Sequence, residues 1–405
     1  MTRIREVWHW QRMVSTHLPC LSRPQVATLA LWSLGIILMQ STGLTTVTAC
    51  VALLLGQAEP TVRERFRYWY RARTRARKRN QQATRRYRRR DTSVQTCFAP
   101  LLRWVVAWWH PEHKQLPLVL DASTLGQRFT LLAVCVVIRG CAIPVAWKVL
   151  DATQKGAWKP HWEALLATLK GTVPADWTVI VLADRGLYAK WLYEAIQANG
   201  WHPFLRINRQ GQYCMAGEDA FRMLSQVVTA HGQTWSGRVT CFKTRLRQLD
   251  CTLLARHDAG YRDPWLIVTD LDPAAADVAW YALRTWVECG FKDSKRGGWH
   301  WEQTKMTDPA RAEWLWLVIA VATLWTVAVG CAAEHAAEQA PQRVQLRQTV
   351  AGATRELSCF RRGRVLIVTA LCLGQGLPAA QFVPEPWPKS LDSAQDTPEA
   401  HSKTA

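Results

Sequence analysis

From residue 1 to about 60, apolar positions recur at helical spacing between strong stop signals. Arg23-Pro24-Gln25 opens a helix that runs to Gln40 and ends at Ser41-Thr42-Gly43. Thr45 and Thr46 cap a second helix through Leu55, which Gly56 stops, and a third begins at Thr61. Further along, the texture becomes that of strands. Leu116 to Asp121 is a short apolar strand ending in an acid. Phe129 to Ile138 and Cys141 to Leu150 are strand-rich runs separated by Arg139-Gly140, a hairpin signal. Trp158 to Lys170 has helical spacing. Asp176 to Gly186 holds a buried strand that again runs into an acid, Asp184. A helix from Leu187 to Asn199, closed by Gly200, and a strand from His202 to Ile207 follow.

Residues 209 to 264 break this rhythm: they are polar, contain Gly, and alternate like strands around Arg238 to Arg247 and Cys251 to Ala255. Trp265 to Thr269 closes that β-rich stretch. Asp272-Pro273 then supplies an N-cap and an N1 proline for the helix carrying the Tyr281 to Lys295 motif, which Gly290 weakens by ~1 kcal/mol, enough to leave Lys295 past its end. A long apolar helix is expected from about Asp308 to Cys331. Strand, hairpin, strand, helix, strand, helix, strand is the order of an RNase H-like α/β fold. The expected organisation is a helical, basic region over 1–95 and a core formed by 96–208 with 265–335. A β-rich insertion (209–264), a C-terminal helical segment and candidate dimerisation element (336–376), and a disordered tail (377–405) complete it.

Charge narrows the partner. Fifty-one Lys and Arg against 31 Asp and Glu give a formal net charge of +20, which favours a polyanion, nucleic acid first. Between Arg63 and Arg90 stand fourteen basic residues and one acid, Glu64, with Phe66, Tyr68, Trp69, Tyr70 and Tyr87 interleaved. Such a run addresses phosphates and carries no sequence preference. With turns of this kind, the three N-terminal helices suit a helical DNA-binding bundle. The twelve cysteines contain no Cys-x2–4-Cys pair, so zinc ribbons and knuckles are excluded and free thiols are expected. Met1 to Leu18 is too polar for a signal peptide, and a reducing cytoplasm, with the protein on the nucleoid, is the expected setting. Trp314 to Ala333 is long enough for one membrane span, but its flanks are of mixed charge, and a buried core helix is the expected reading, with no membrane partner.

The chemistry is concentrated in Tyr281, Arg284, Glu288 and Lys295, spaced Y-x2-R-x3-E-x6-K. On one ideal helix, at about 100° per residue, the four would share a face, placing a carboxylate beside two cations and a phenol. A carboxylate holds a divalent metal and neighbouring cations hold phosphates. Asp121 and Asp184, each at a strand end, add two more carboxylates. Three such groups can bind two Mg²⁺ or Mn²⁺ ions ~3.5–4 Å apart, which clamp a phosphodiester for in-line attack.

These residues carry a family resemblance. Leu118-Val119-Leu120-Asp121-Ala122-Ser123-Thr124, Leu182-Ala183-Asp184-Arg185-Gly186 and the stretch from Tyr281 to Lys295 are similar to the motifs of DDE transposases, specifically the bacterial cut-and-paste insertion-sequence group with the YREK signature. The resemblance spans roughly residues 20 to 375. It implies Asp121, Asp184 and Glu288 as the catalytic and metal-holding triad, with two Mg²⁺ ions that Mn²⁺ can replace. It implies that Tyr281, Arg284 and Lys295 grip phosphates near the cut. Trp265 would stack on a flipped base during hairpin formation, and Arg206 would contact DNA. The implied partners are double-stranded DNA, as element ends and target, and a second copy of the chain in a synaptic dimer. A metal-dependent RNase H-like nuclease and an inactive DNA-binding repressor are the alternatives.

Overall fold

The computed structural model describes residues 2–80, 93–154, 158–339 and 357–390. The second half of the basic run, 81–92, and the last part of the tail lie outside the described residues. The chain forms two compact units: Met1–Pro203 with Arg284–Glu385, and Phe204–Leu283 with Pro386–Ala405.

The first unit is mixed α/β. Its sheet has the order β3-β2-β1-β4, from β1 (Gln115–Leu125), β2 (Phe129–Ile138), β3 (Cys141–Asp151) and β4 (Thr178–Ala183). The β1/β2 and β2/β3 pairs are antiparallel and β1/β4 is parallel. All ten residues of β2 are buried, so it shows no inside–outside alternation, as expected for a strand covered on both faces. The β2–β3 turn uses Arg139 and Gly140 at φ 47° and 75°, the left-handed pair that matches strand twist in a two-residue hairpin. The Arg139 side chain is itself buried, donating to Glu334, Glu338 and the Val383 carbonyl.

Around the sheet lie α1 (Thr2–His17), α2 (Arg23–Met39), α3 (Leu44–Leu55), α4 (Glu59–Asn80), α5 (Phe98–Ala107), α6 (Lys159–Leu169), α7 (Lys190–Gln197), α8 (Trp286–Ser294), α9 (Pro309–Gln339) and α10 (Cys359–Cys372). The start of α2 is capped, with the Ser22 N–H donating to Gln25 Oε1 at 2.9 Å. In α4, Phe66 and Trp69 face inward. Phe66 stacks on Trp32, and Trp69 Nε1 donates to the Trp314 carbonyl at 3.0 Å. These two aromatics are core anchors of the basic helix and are not free to stack on bases. The long apolar helix is α9, and 94% of its most apolar window is buried inside the protein, against β3, α2 and α10.

The second unit is an antiparallel sheet in the order β5-β10-β9-β8-β6-β7, made of β5 (His202–Arg206, which begins in the first unit), β6 (Gln212–Met215), β7 (Arg222–Met223), β8 (Thr234–Cys241), β9 (Leu249–Arg256) and β10 (Trp265–Thr269). The strand pattern read between residues 209 and 264 is present, and β10 pairs along its whole length with β9.

Three local expectations fail. Thr45 and Thr46 do not cap α3; they lie within it, and its N-cap is Gly43. Asp272 caps only a short 3₁₀ turn, Pro273–Ala275, because Ala276 is extended (φ −130°, ψ 140°) and ends it. Leu377 to Ser390 is not a disordered tail. Phe382 and Val383 are buried, the Phe382 N–H donates to the Trp108 carbonyl, and Trp387 packs edge-on against Trp280. Three large apolar side chains suffice to fix a Pro-rich segment that composition alone reads as unstructured.

Candidate active site

Strand register sets the first two carboxylates. In the parallel β1/β4 pair, Leu120 stands opposite Ala183, so the next residues, Asp121 and Asp184, emerge side by side where β4 ends. Adjacent strands lie about 4.8 Å apart, which brings two carboxylates from distant sequence positions into one neighbourhood. Asp121 is not the last residue of its strand, as the sequence suggested. β1 continues to Leu125 paired with β2 alone, leaving its other edge open beside Asp184.

The third carboxylate comes from α8. Gly290 permits the approach: a Cβ there would sit 2.6 Å from the Ala142 Cβ on β3, so only glycine allows this helix to lie so close to the sheet. The single helix expected to carry Tyr281, Arg284 and Glu288 is not formed, while Lys295 does fall beyond a helix end, as the weakening by Gly290 suggested. Tyr281 and Arg284 lie on a 3₁₀ helix, Val278–Thr285, Glu288 lies on α8, and Lys295 lies past its end at φ −103°, ψ −136°. The four residues therefore share no helical face.

Arg284 joins the acids instead. Its Nη2 donates to Asp121 Oδ2 at 3.1 Å and lies 3.7 Å from Asp184 Oδ2, while Nη1 donates to Glu288 Oε1 at 2.7 Å. Asp121 and Arg284 are each 16% exposed at the side chain, whereas Glu288 is 63% exposed. Burial pushes the Asp121 carboxyl above its usual range. Arg284 and the Ala122 N–H pull it back, and the charges of Asp184 and Glu288 push it up further. Asp184 is oriented by the Gly186 N–H, which donates to its Oδ1 at 2.9 Å.

Lys295 reaches the same strand. Its Nζ donates to Ser123 Oγ at 2.7 Å and to the Thr124 carbonyl at 2.9 Å, two and three residues beyond Asp121. Burial lowers its pKa, with Glu302 opposing. Ser123 and Thr124 were quoted in the sequence motif without a role; the structure makes them the seat of Lys295. Arg128 was missed altogether. It donates to the carbonyls of Glu302, Thr304 and Met306 and so pins the loop after the motif, a contact that no sequence spacing reveals.

Asp121, Asp184, Arg284, Glu288 and Lys295 thus converge in the first unit. Tyr281, Trp265 and Arg206 belong to the second. There Tyr281 is buried and packs edge-on against Trp265, ring centroids 5.3 Å apart. Arg206 donates to the Pro264 carbonyl at 3.3 Å. A buried Tyr281 ring is a packing partner of Trp265 first, which the phosphate-gripping expectation did not include.

The donor set suits a hard divalent cation, since all three acids offer carboxylate oxygens and already surround a positive charge. As the side chains stand, no three acids, histidines or cysteines among the described residues close around a common point, because the guanidinium lies between them. The carboxylates available to such a cation are those of Asp121, Asp184 and Glu288.

No curated protein matches the chain. A solved structure, a cryo-EM structure of a piggyBac transposase synaptic complex with hairpin DNA, is similar over 87% of this chain and 84% of that one, at 9% identity and a TM-score of 0.35. A family model described as the transposase DDE domain matches residues 112–325, more than half of the chain and the whole span from β1 into α9. The chain belongs to the DDE transposase family.

Proposed function

We propose that this chain is a cut-and-paste DNA transposase of the bacterial insertion-sequence group with the YREK signature, with an RNase H-like core that uses Asp121, Asp184 and Glu288 as its catalytic triad. The observation that carries the reading is the meeting of three acids from β1, the end of β4 and α8 on the single guanidinium of Arg284. Structural ion pairs rarely gather three carboxylates on one cation, because like charges so placed repel. Such a cluster is accounted for if its working partner carries more positive charge than one arginine.

The chemistry that a pair of Mg²⁺ or Mn²⁺ ions supplies when bound is charge stabilisation at the attacking and leaving oxygens of an in-line phosphoryl displacement. The chain's own residues do the rest. Asp121, on the rigid central strand, fixes the position of the site. Asp184, held by the Gly186 N–H, presents its second oxygen to the Arg284 guanidinium at 3.7 Å. Glu288, the most exposed of the three, closes the site from the helix side. Arg284, once displaced from the acids, and Lys295, on the same strand edge, are the cations that bind backbone phosphates. Trp265 is the stacking platform for an extruded base, with Tyr281 buttressing its ring, and Arg206 is a DNA contact. The basic α4 supplies a sequence-independent phosphate contact. Two copies pair two element ends, nick them, pass through a hairpin and join the 3′ ends to target DNA, in a bacterial cytoplasm.

The test uses the full chain, Mn²⁺ and a duplex carrying the DNA that flanks the gene. Nicked, hairpin and joined products on a denaturing gel are expected. Asp184→Asn is expected to abolish all three, and undiminished cleavage by that variant would remove Asp184 from the active site.

A further inference from the structure

The β8–β9 hairpin of the second unit ends in Lys243-Thr244-Arg245-Leu246-Arg247, where all five residues are exposed. Leu246 is 88% exposed, the most exposed of the large apolar side chains among the described residues. The tip is held rigidly. The Arg247 and Gln248 N–H groups donate to the Thr244 carbonyl at 2.7 and 3.0 Å, and Gln248 Nε2 donates to the Lys243 carbonyl at 3.3 Å. Phe242, at φ 68°, turns the chain into it, and buried Cys241 and Leu249 pair at its base.

Four of the six arginines elsewhere in residues 204–283 are matched by acids. Arg209, Arg222, Arg238 and Arg256 each lie within ion-pair distance of a carboxylate, those of Asp263, Glu218, Asp272 and Asp258. Among the described residues, Lys243, Arg245 and Arg247 pair with none. The acid nearest in sequence, Asp250, accepts from the Thr240 hydroxyl at 2.5 Å. A rigid turn thus holds three uncompensated cations around one outward leucine.

We infer that this tip is a DNA wedge: the three cations seat on phosphates either side of a minor groove, and Leu246 enters it and unstacks a base step. A lone apolar side chain flanked by cations is the form such wedges take, and the bend they induce brings more protein surface onto the duplex. One leucine is too small to anchor a protein interface, which needs roughly 800 Å² per partner. The inference rests on the reading of the chain as an enzyme acting on DNA. It adds a contact outside the carboxylate site, which the Tyr-Arg-Glu-Lys motif does not supply.

The experiment titrates the full chain, without divalent metal, against a duplex of the gene's flanking sequence carrying 2-aminopurine at A·T steps. Anisotropy is followed over a series of salt concentrations. Wild type is expected to bind with a steep salt dependence and to brighten the probe. The triple variant Lys243→Ala, Arg245→Ala, Arg247→Ala is expected to flatten the log K against log salt slope by about 2 to 3. Leu246→Ala is expected to keep the slope, lose about tenfold in affinity and lose the brightening, which Leu246→Met restores. An unchanged slope in the triple variant, or undiminished brightening in Leu246→Ala, overturns the wedge alone. Absence of any wild-type binding at low salt overturns the DNA reading and the wedge with it.

Discussion

Arg284 Nη2 donates to Asp121 Oδ2 at 3.1 Å and in doing so takes the place among the acids that a metal ion would need. On the proposed reading, the guanidinium and a divalent cation compete for one set of oxygens. Charge-assisted hydrogen bonds of this kind contribute about 1.5–3 kcal/mol each when well formed, so their loss should be visible as affinity. Arg284→Gln is expected to bind Mn²⁺ about tenfold more tightly than wild type in the absence of DNA, by titration calorimetry. The same variant is expected to cleave DNA poorly, because the phosphate contact is gone. Equal or weaker Mn²⁺ binding would show that Arg284 helps to build the site and does not guard it.

Gly290 gives a test of how α8 is seated. Alanine is normally the better helix residue by about 1 kcal/mol. Here its Cβ would meet the Ala142 Cβ at 2.6 Å and the Ala142 carbonyl oxygen at 3.2 Å. Overpacking of that kind costs about 1–3 kcal/mol, so the contact wins over the propensity. Gly290→Ala should lower the melting temperature and, by tilting Glu288 away, DNA cleavage. Adding Ala142→Gly removes the nearest atom and should recover part of both. A Gly290→Ala protein as stable and active as wild type would mean the helix has room to move.

Much of this arrangement was legible from residues alone. The apolar runs of β1 to β5, the hairpin at Arg139-Gly140, the helix start at Arg23-Pro24-Gln25 and the helix stop at Gly56 are local signals, and the structure has elements at those places. The convergence of Asp121 with Asp184 depends on a parallel register, Leu120 opposite Ala183, which no single stretch encodes. The helical face drawn through Tyr281 to Lys295 was wrong because spacing was read at the α period. Residues 278–285 are wound as 3₁₀, and Lys295 turns away after the helix to meet Ser123. Gly290 was read as a weakness of that helix, and only the position of Ala142 shows why it is there. The tail misled through its composition, which counts prolines and acids and overlooks where Phe382 and Trp387 find partners.

Asp293, one turn beyond Cys289 on α8, makes the stability of this region pH-dependent. Burial pushes its carboxyl up to about 7, with Arg361 and Lys292 only partly opposing. The sign follows from proton counting. Near pH 5 to 6 the folded protein holds a proton on Asp293 that the unfolded chain, with an ordinary carboxyl, has released. Stability from this group is therefore full below about pH 4 and falls as pH rises to about 7, above which both states are ionised and the penalty is constant. The loss is ~1–2 kcal/mol after allowing for its partial contact with solvent. Asp293→Asn carries no such charge. In chemical denaturation at a series of pH values it should match wild type at acid pH and exceed it above pH 7, the difference opening between about pH 4 and 7. A difference that stays flat over that window would show that Asp293 titrates as an ordinary surface acid, and that the Glu288 end of α8 does not depend on its protonation.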